Sequence, residues 1–458
     1  MGTLTSSLSI ALSGLDAAQD AISVASNNIA NVNTPGYSRE VANLATAPSV
    51  EQNNLTFGTG VQVQSVTSLR DSVLDLRVNQ ETQQQGQLNA FIGGGQQIQQ
   101  LFNQTTGAGL QAPITAFFSS LTQLSASPSD PNARQTVLTA AQNLATTFNQ
   151  TSNSLSALQQ NTNISVSQTV AQINSLTTQL ATLNGQVAAN SGGGENAGPL
   201  IDQRQQLLNQ LSNLVDISEI NAGNGSLTIT TSSGAPLVVG NQSFALSTQP
   251  NAANGENDVY SRGSDITTQI TSGQLAGQLQ LRDQEIPAIQ NSLDTLAYGL
   301  ATNVNTVQEA GTDLNGAAGG PLFTPPTTVA GTAATLSVAI TDPSKIAASL
   351  DGSAGDNANA NALAALQNQN IVAGQTPLNY YSGLVFKIGN DVSTALANQA
   401  SGAAALQQVQ NLQGGVSGVD INEEAANLVR YQNAYQANAE VSATIDTLLE
   451  FTITNFVP

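Results

Sequence analysis

Leu4, Leu8, Ala11, Leu15, Ala18, Ile22, Ala25 and Ile29 follow one another at alternating steps of four and three residues. No other feature constrains the fold as much. That alternation is the a/d seam of a coiled coil, not the broader stripe of a helix lying on its own core. The spacing predicts a helix over residues 4–30, roughly 40 Å long at ~1.5 Å per residue. Ser, Thr, Asn, Gln and Asp fill the intervening positions. Ser and Asn are mediocre helix formers, so such a helix is marginal alone and depends on a partner along its seam. Ala recurs in that seam and suits close helix-to-helix approach.

The opposite end of the chain supplies a partner. Asp420 and Glu423 have the N-cap and N3 spacing of a capping box. Leu428, Tyr431, Tyr435, Val441, Ile445, Leu448 and Leu449 then fall within one side of a 3.6-residue wheel. A chain that begins and ends with an amphipathic helix can pair its termini and nest everything else between them. The intervening pattern fits. Pro35-Gly36 makes a type II turn after the first helix, and alternating residues 37–45 and 61–66 read as a short β excursion. Helix is predicted over 71–102 with a weak point at Gly93–Gly95, and over 131–190 after the Asp130-Pro131 start, with a break near Asn163. Gly192–Gly194 reads as loop, and residues 200–215 as helix. Residues 216–272 carry short strands, 275–309 return to helix, and 335–340 read as a strand. Residues 357–370 and 378–412 are again helical.

The expected fold is therefore mainly α with an inserted β region, elongated and nested, its N- and C-terminal helices paired in a coiled coil. Three units are expected. Residues 1–69 with 415–458 form a terminal assembly domain with the adjoining β excursion. Residues 70–215 with 273–315 and 356–414 form a helical middle, and 216–272 with 316–355 a β-rich outer insert.

Chemistry is excluded by what the side chains lack. The chain has no His and no Cys, which removes the usual general base, thiol nucleophile and zinc ligands. The carboxylate pairs Asp283/Glu285, Glu423/Glu424 and Asp446/Glu450 read as solvated helix faces, and no Gly-rich stretch has a P-loop continuation. No catalytic, cofactor or metal residues are expected, and the chain is not read as an enzyme. Only 9% of residues are charged, with 30 acidic against 10 basic side chains. That negative field repels phosphate, so nucleic acid and anionic membrane surfaces are poor partners. No run is long enough to span a membrane, and the N-terminus does not read as a cleaved signal peptide.

Ala30-Asn31-Val32-Asn33-Thr34-Pro35-Gly36-Tyr37-Ser38-Arg39, with Asn31, Asn33, Thr34, Pro35, Gly36 and Tyr37 as its turn and preceded by Leu12-Ser13-Gly14-Leu15 and Ala25-Ser26-Asn27-Asn28-Ile29, resembles the N-terminal signature of bacterial flagellar axial proteins of the rod, hook and hook-associated type. Glu423-Glu424-Ala425-Ala426-Asn427-Leu428 and Tyr431-Gln432-Asn433-Ala434-Tyr435 resemble their C-terminal motif. Within the family, the Glu-Glu pair, Arg430-Tyr431-Gln432 and Leu281-Arg282-Asp283-Gln284-Glu285-Ile286-Pro287 look most like the hook-associated members. Residues 451–458 run past the end expected for the family's last helix.

The resemblance implies a secreted, extracellular structural subunit of the flagellum, exported through the type III apparatus and self-assembling at the hook–filament junction through its terminal helices. It implies as partners copies of the same chain, hook subunits, the next hook-associated protein, and an export chaperone bound before secretion. The chaperone segment corresponds to residues 421–449, with Leu428, Tyr431, Tyr435, Ile445 and Leu449 as the candidate contacts. A hook or distal-rod subunit of the same family is the nearest alternative. A secreted adhesin with a ligand-binding β insert is the alternative of another class.

Overall fold

The computed structural model describes residues 2–52, 55–103, 109–193, 196–223, 225–353 and 355–456. Helix α1 (Gly2–Ala30) leads into strands β1 (Glu40–Thr46), β2 (Val50–Gln52), β3 (Leu55–Phe57) and β4 (Val61–Ser68). β1 pairs antiparallel with β4, and β2 with β3 forms a separate hairpin at the ribbon's end. Helices α2 (Ser72–Leu101), α3 (Gln111–Ala126), α4 (Pro131–Gly193) and α5 (Gly198–Leu214) follow. Asp71 caps α2 by accepting from the amides of Val73 and Leu74. Asp130 accepts from Asn132 N at the start of α4 (2.9 Å). At 63 residues, α4 is a rod of roughly 95 Å.

The inserted β region comprises β5 (Ser218–Asn221), β6 (Leu227–Thr230), β7 (Pro236–Val239) and β8 (Gln242–Ser243) in one antiparallel sheet. A second sheet holds β9 (Leu246–Pro250), β10 (Asn257–Ser261) and β11 (Ser264–Asp265). Then come α6 (Gly273–Gln280), α7 (Ile286–Ala310), the short α8 (Thr332–Thr335), α9 (Ala358–Ala365), α10 (Pro377–Ser417) and α11 (Ile421–Phe456).

Two large cores hold the body together. One joins α3, the first half of α4, α7, α9 and the start of α10 around Phe117, Phe118, Phe148, Phe323 and Tyr381. The other joins the second half of α4 to α5, α6 and the β region around Val170, Leu211, Ile229 and Val259. A small third cluster, Phe91, Ile92 and Ala395, ties α2 to α10. Among the described residues, no member of α1 or α11 belongs to any of the three clusters.

Several local expectations are corrected. α4 does not break near Asn163. The Asn163 carboxamide oxygen accepts from Asn257 N (2.8 Å) and from the Arg282 guanidinium (2.9 Å), so it ties the β region to the rod and does not interrupt the helix. α2 runs through Gly93–Gly95 because Leu281 and Val392 press against Gly94 and Gly95. α4 also includes Gly192 and Gly193, while Gly194 lies outside the described residues. The helix expected over 275–309 is divided by a π turn at Leu281–Glu285, a device common at sites of local specialisation. It carries the fully buried Arg282, whose guanidinium donates to both Asp283 carboxylate oxygens and to Asn257 O (2.7 Å).

Residues 335–340 are not a strand. The Asp294 carboxylate accepts from Gly331 N and Ala333 N (2.8 Å each), starting α8 there, and the rest makes only an isolated bridge from Val338 to Phe323. Residues 316–355, expected in the β insert, hold no named strand among the described residues. Leu322, Phe323, Leu336, Ile346 and Ala348 pack into the helical core instead. α11 runs on through Phe456; Val457 and Pro458 lie outside the described residues.

Candidate assembly interface

α1 and α11 pack lengthwise against each other, with Gly14 lying against the Asn438 side chain. Asp420 opens α11 by accepting from Asn422 N (2.8 Å) and Glu423 N (3.4 Å), and two glutamates in the first turn complement the helix dipole. Along α1 the seam divides by size. Ala11, Ala18 and Ala25 are buried, whereas Leu4, Leu8, Leu15, Ile22 and Ile29 are only half-buried. Ala17 and Ala21 are buried as well, since α1 also packs against β1 and β4.

On α11, Ile445 is buried, and Leu428, Tyr431 and Leu449 are half-buried. Tyr435, Val441 and Leu448 are exposed. The line facing away from water runs through half-buried Leu428, Tyr431, Asn438, Ser442, Leu449 and Thr452 and buried Ile445. Val441 and Leu448 sit one residue off it, about 100° round the helix. A wheel broad enough to include them spans two adjacent stripes. Arg430 lies over the Tyr431 ring, 5.0 Å from its centroid.

The turn motif closes the near end of this pair. Asn28 is buried and reads the backbone of Glu40 twice, donating to its carbonyl (2.8 Å) and accepting from its amide (2.9 Å). The Tyr37 hydroxyl donates to the Asn28 carboxamide oxygen (2.8 Å). Asn31 N–H groups hold Asn27, and Thr34 Oγ1 donates to Asn31 Oδ1 (3.2 Å). Gly36 has φ +79°, the left-handed region where a side chain is strained. Asn33 is exposed. Burial, with the negative fields of Glu40, Asp202 and Glu424, raises the Tyr37 phenol well above its ordinary pKa, so it stays a hydrogen-bond donor.

Just beyond the motif the terminal pair meets the body in a polar joint. Arg39 N donates to Ser417 O (2.8 Å), and Ser38 N to Asp202 Oδ2 (2.9 Å). The Arg39 guanidinium meets Glu423 at 2.6 Å and Glu424 at 3.9 Å. Arg70 bridges Asp75 and Asp202, Asn196 donates to Glu40, and Gln206 donates to Pro35 O. Burial pushes the Asp202 carboxyl up, opposed by its bonds to Ser38 and by Arg70.

The pair Glu423/Glu424 is therefore not a solvated face: Glu424 is buried. Asp283/Glu285 likewise partner Arg282 and Lys387, while Asp446 and Glu450 are exposed. Sequence reasoning had Arg39 only as the end of the N-terminal signature, with no role, and missed Arg70, Asp202 and Ser417. A signal existed, since ten cations in the whole chain make an arginine beside a turn motif conspicuous.

Among the described residues no group of His, Cys, Asp or Glu could hold a metal. A groove between α3 and α4 is lined by Ala, Pro, Ser, Thr, Asn and Gln, without an ionisable group. No described helix is long and apolar enough to cross a membrane.

Comparison with known proteins bears on the same elements. The family described as "Flagellar hook-associated protein FlgK helical domain" matches residues 95–323, half of the chain. "Flagella basal body rod protein" matches residues 8–37, and "Flagellar basal body rod FlgEFG protein C-terminal" residues 413–455. Flagellar hook-associated protein 1 of Escherichia coli (strain K12) is 29% identical over 98% of this chain and 99% of its own length. The protein of the same name from Bacillus subtilis (strain 168) is 29% identical over 97% of this chain and 96% of its own. The solved structure of the flagellar hook junction protein FlgK from Burkholderia pseudomallei shares the fold with a TM-score of 0.66 at 21% identity. It covers 74% of this chain and 100% of that one.

Proposed function

The chain belongs to the flagellar hook-associated protein FlgK family, and from that premise we propose how its geometry serves the role of a structural, non-enzymatic subunit of the hook–filament junction. The observation that carries the mechanism is the divided seam of the terminal helices. α1 and α11 together bury Ala11, Ala18, Ala25 and Ile445 but leave Leu4, Leu8, Leu15, Ile22, Leu428 and Leu449 half in water. Two helices cannot cover such a seam, and neighbouring subunits can. Each Leu or Ile that passes from exposed to buried contributes roughly 1.5–3 kcal/mol, so stacking copies supplies the ordering energy that the Ser/Asn-rich helices lack alone.

The protein is a flagellar component that associates with hook and other flagellar parts. The finer partners belong to the proposal. The Leu428, Tyr431, Tyr435, Ile445 and Leu449 side of α11 offers apolar anchors at the spacing of helix-in-groove recognition, so an export chaperone would cover it before secretion and other subunits after. One face cannot serve both at once, so chaperone release precedes polymerisation. Export to the cell exterior places the assembled ring outside the cell, with the next hook-associated protein stacked on it. The terminal arm of this proposal comprises residues 1–69 and 415–458, and the polar joint around Arg39, Glu423 and Glu424 supports that division. The hook, rod and adhesin alternatives lack comparable support, since full-length likeness and the helical-domain match both run to hook-associated proteins.

Antibody labelling of flagella from cells making only the Leu15→Asp variant tests this mechanism. An empty junction, with an unaltered body in the purified chain, is expected. Normal labelling at the junction contradicts it.

A further inference from the structure

One surface of the arm is left over by the pairing of α1 with α11. The β2–β3 hairpin has the register Val50↔Phe57 and Glu51↔Thr56. Residues directly opposite share a face, and successive residues alternate between faces. Val50 and Phe57 therefore stand together on one side, and Glu51 and Thr56 on the other. This is an amphipathic hairpin, yet Val50 is 56% and Phe57 50% exposed. A lone two-stranded hairpin is marginal in water, and an aromatic facing a β-branched residue is a pair that gains from burial.

Its position indicates what covers it. The β1–β4 ribbon lies along α1, where Val61 N donates to Ser13 Oγ (3.3 Å). Gly14, the next residue on α1, lies against Asn438. The hairpin therefore leaves the arm at the height of Asn438, less than one turn before Val441. Val441 and Leu448 are 49% and 48% exposed and seven residues apart. They share a stripe with Ala434, Ala437 and Thr444 that contains no ionisable residue, so covering it strands no charge. Within one chain, α1 leaves this stripe open. In a ring, each arm has a neighbour at nearly the same height, and closure requires two unlike faces of the same chain to meet.

We propose that in the assembled junction the Val50/Phe57 face of the hairpin docks on the Val441/Leu448 stripe of a second copy's C-terminal helix. The inference rests on the junction reading above. A full-length chain with Phe57 replaced by the photoreactive p-benzoylphenylalanine tests it. Irradiating isolated flagella should give a chain-to-chain adduct whose second peptide contains Val441 or Leu448, absent from the irradiated monomer. An adduct within one chain, to a different flagellar protein, or to a second copy outside α11 overturns the inference and leaves the junction reading standing. Absence of the unsubstituted chain from the junction by antibody labelling overturns both. Phe57→Asp adds a second readout: an unchanged unfolding temperature in the monomer with incorporation reduced about tenfold or more. Undiminished incorporation would overturn the docking.

Discussion

The terminal arm and the body are both helical, yet they are held by different physics. In the body, Phe117, Phe118, Leu144 and Phe148 are wholly buried in one apolar cluster. In the arm, the residues fully buried along α1 are mostly Ala, and the large side chains stay half-wet. The body closes its core within one chain. The arm has the same periodicity without closure, which is the form expected of an element whose remaining neighbours are other molecules. Between the two lies a joint made of ion pairs and backbone hydrogen bonds rather than shared apolar core.

The largest effect expected from this contrast is on assembly. Leu15→Asp or Ile22→Asp should stop incorporation into the flagellum, since each copy would bury an unpaired charge at a cost of several kcal/mol. The body's thermal unfolding should not move, because neither position touches its clusters. Motile cells carrying either variant would end the comparison. The converse substitution sharpens it: Phe117→Ala should cost the body about 3–5 kcal/mol by leaving a cavity. Leu15→Ala should cost the monomer a small fraction of that. Denaturant titration of both variants reads the difference.

At the C-terminal helix, the Tyr431→Ala, Tyr435→Ala pair removes the aromatic anchors of one stripe. Calorimetric titration with the cognate export chaperone should show affinity lower by about 2 kcal/mol or more. Unchanged affinity would confine these tyrosines to packing within the chain. The joint is tested by Glu424→Gln, which weakens the charge facing Arg39 and should cost about 1–3 kcal/mol of arm attachment. The measurement is faster proteolysis near residues 36–40 and 417–420.

The smallest effect lies within the body. Burial raises the Asp216 carboxyl from 3.8 to about 6, against the lowering effect of hydrogen bonds from Thr271 and Ser232. The folded state holds that proton more tightly than the unfolded chain. Its contribution to stability is therefore complete below about pH 4 and lost as pH rises through about 6. Asp216→Asn should flatten that decline and stabilise the body at pH 7 by about 1 kcal/mol, the new amide hydrogen atoms offsetting part of the gain. A wild-type pH profile flat between 4 and 7 would refute it.

The sequence was most legible where a single periodicity governs. The Leu4–Ile29 seam, the Asp420 cap and the alternation over residues 61–66 are local patterns, and they lie on α1, the start of α11 and β4. It was least legible where a distant side chain decides local structure. Asn163 stays helical because Arg282 and Asn257 occupy its carboxamide, and Asp294 converts an apparent strand at 335–340 into a helical turn. Residues 316–355 carry β-like composition, but Leu322, Phe323, Leu336, Ile346 and Ala348 from that stretch lie in the helical core with α4 and α7. The joint was hidden for the same reason, since Arg39, Asp202 and Glu424 are brought together only by the nesting of the two chain ends.

Hydrogen exchange of the isolated chain against assembled flagella bears most directly on the claim that the arm completes its core between subunits. In the monomer, amides of α1 and α11 should exchange orders of magnitude faster than those of α4, and in flagella all three helices should be comparably protected. Equal, slow exchange of all three helices in the monomer would contradict the account.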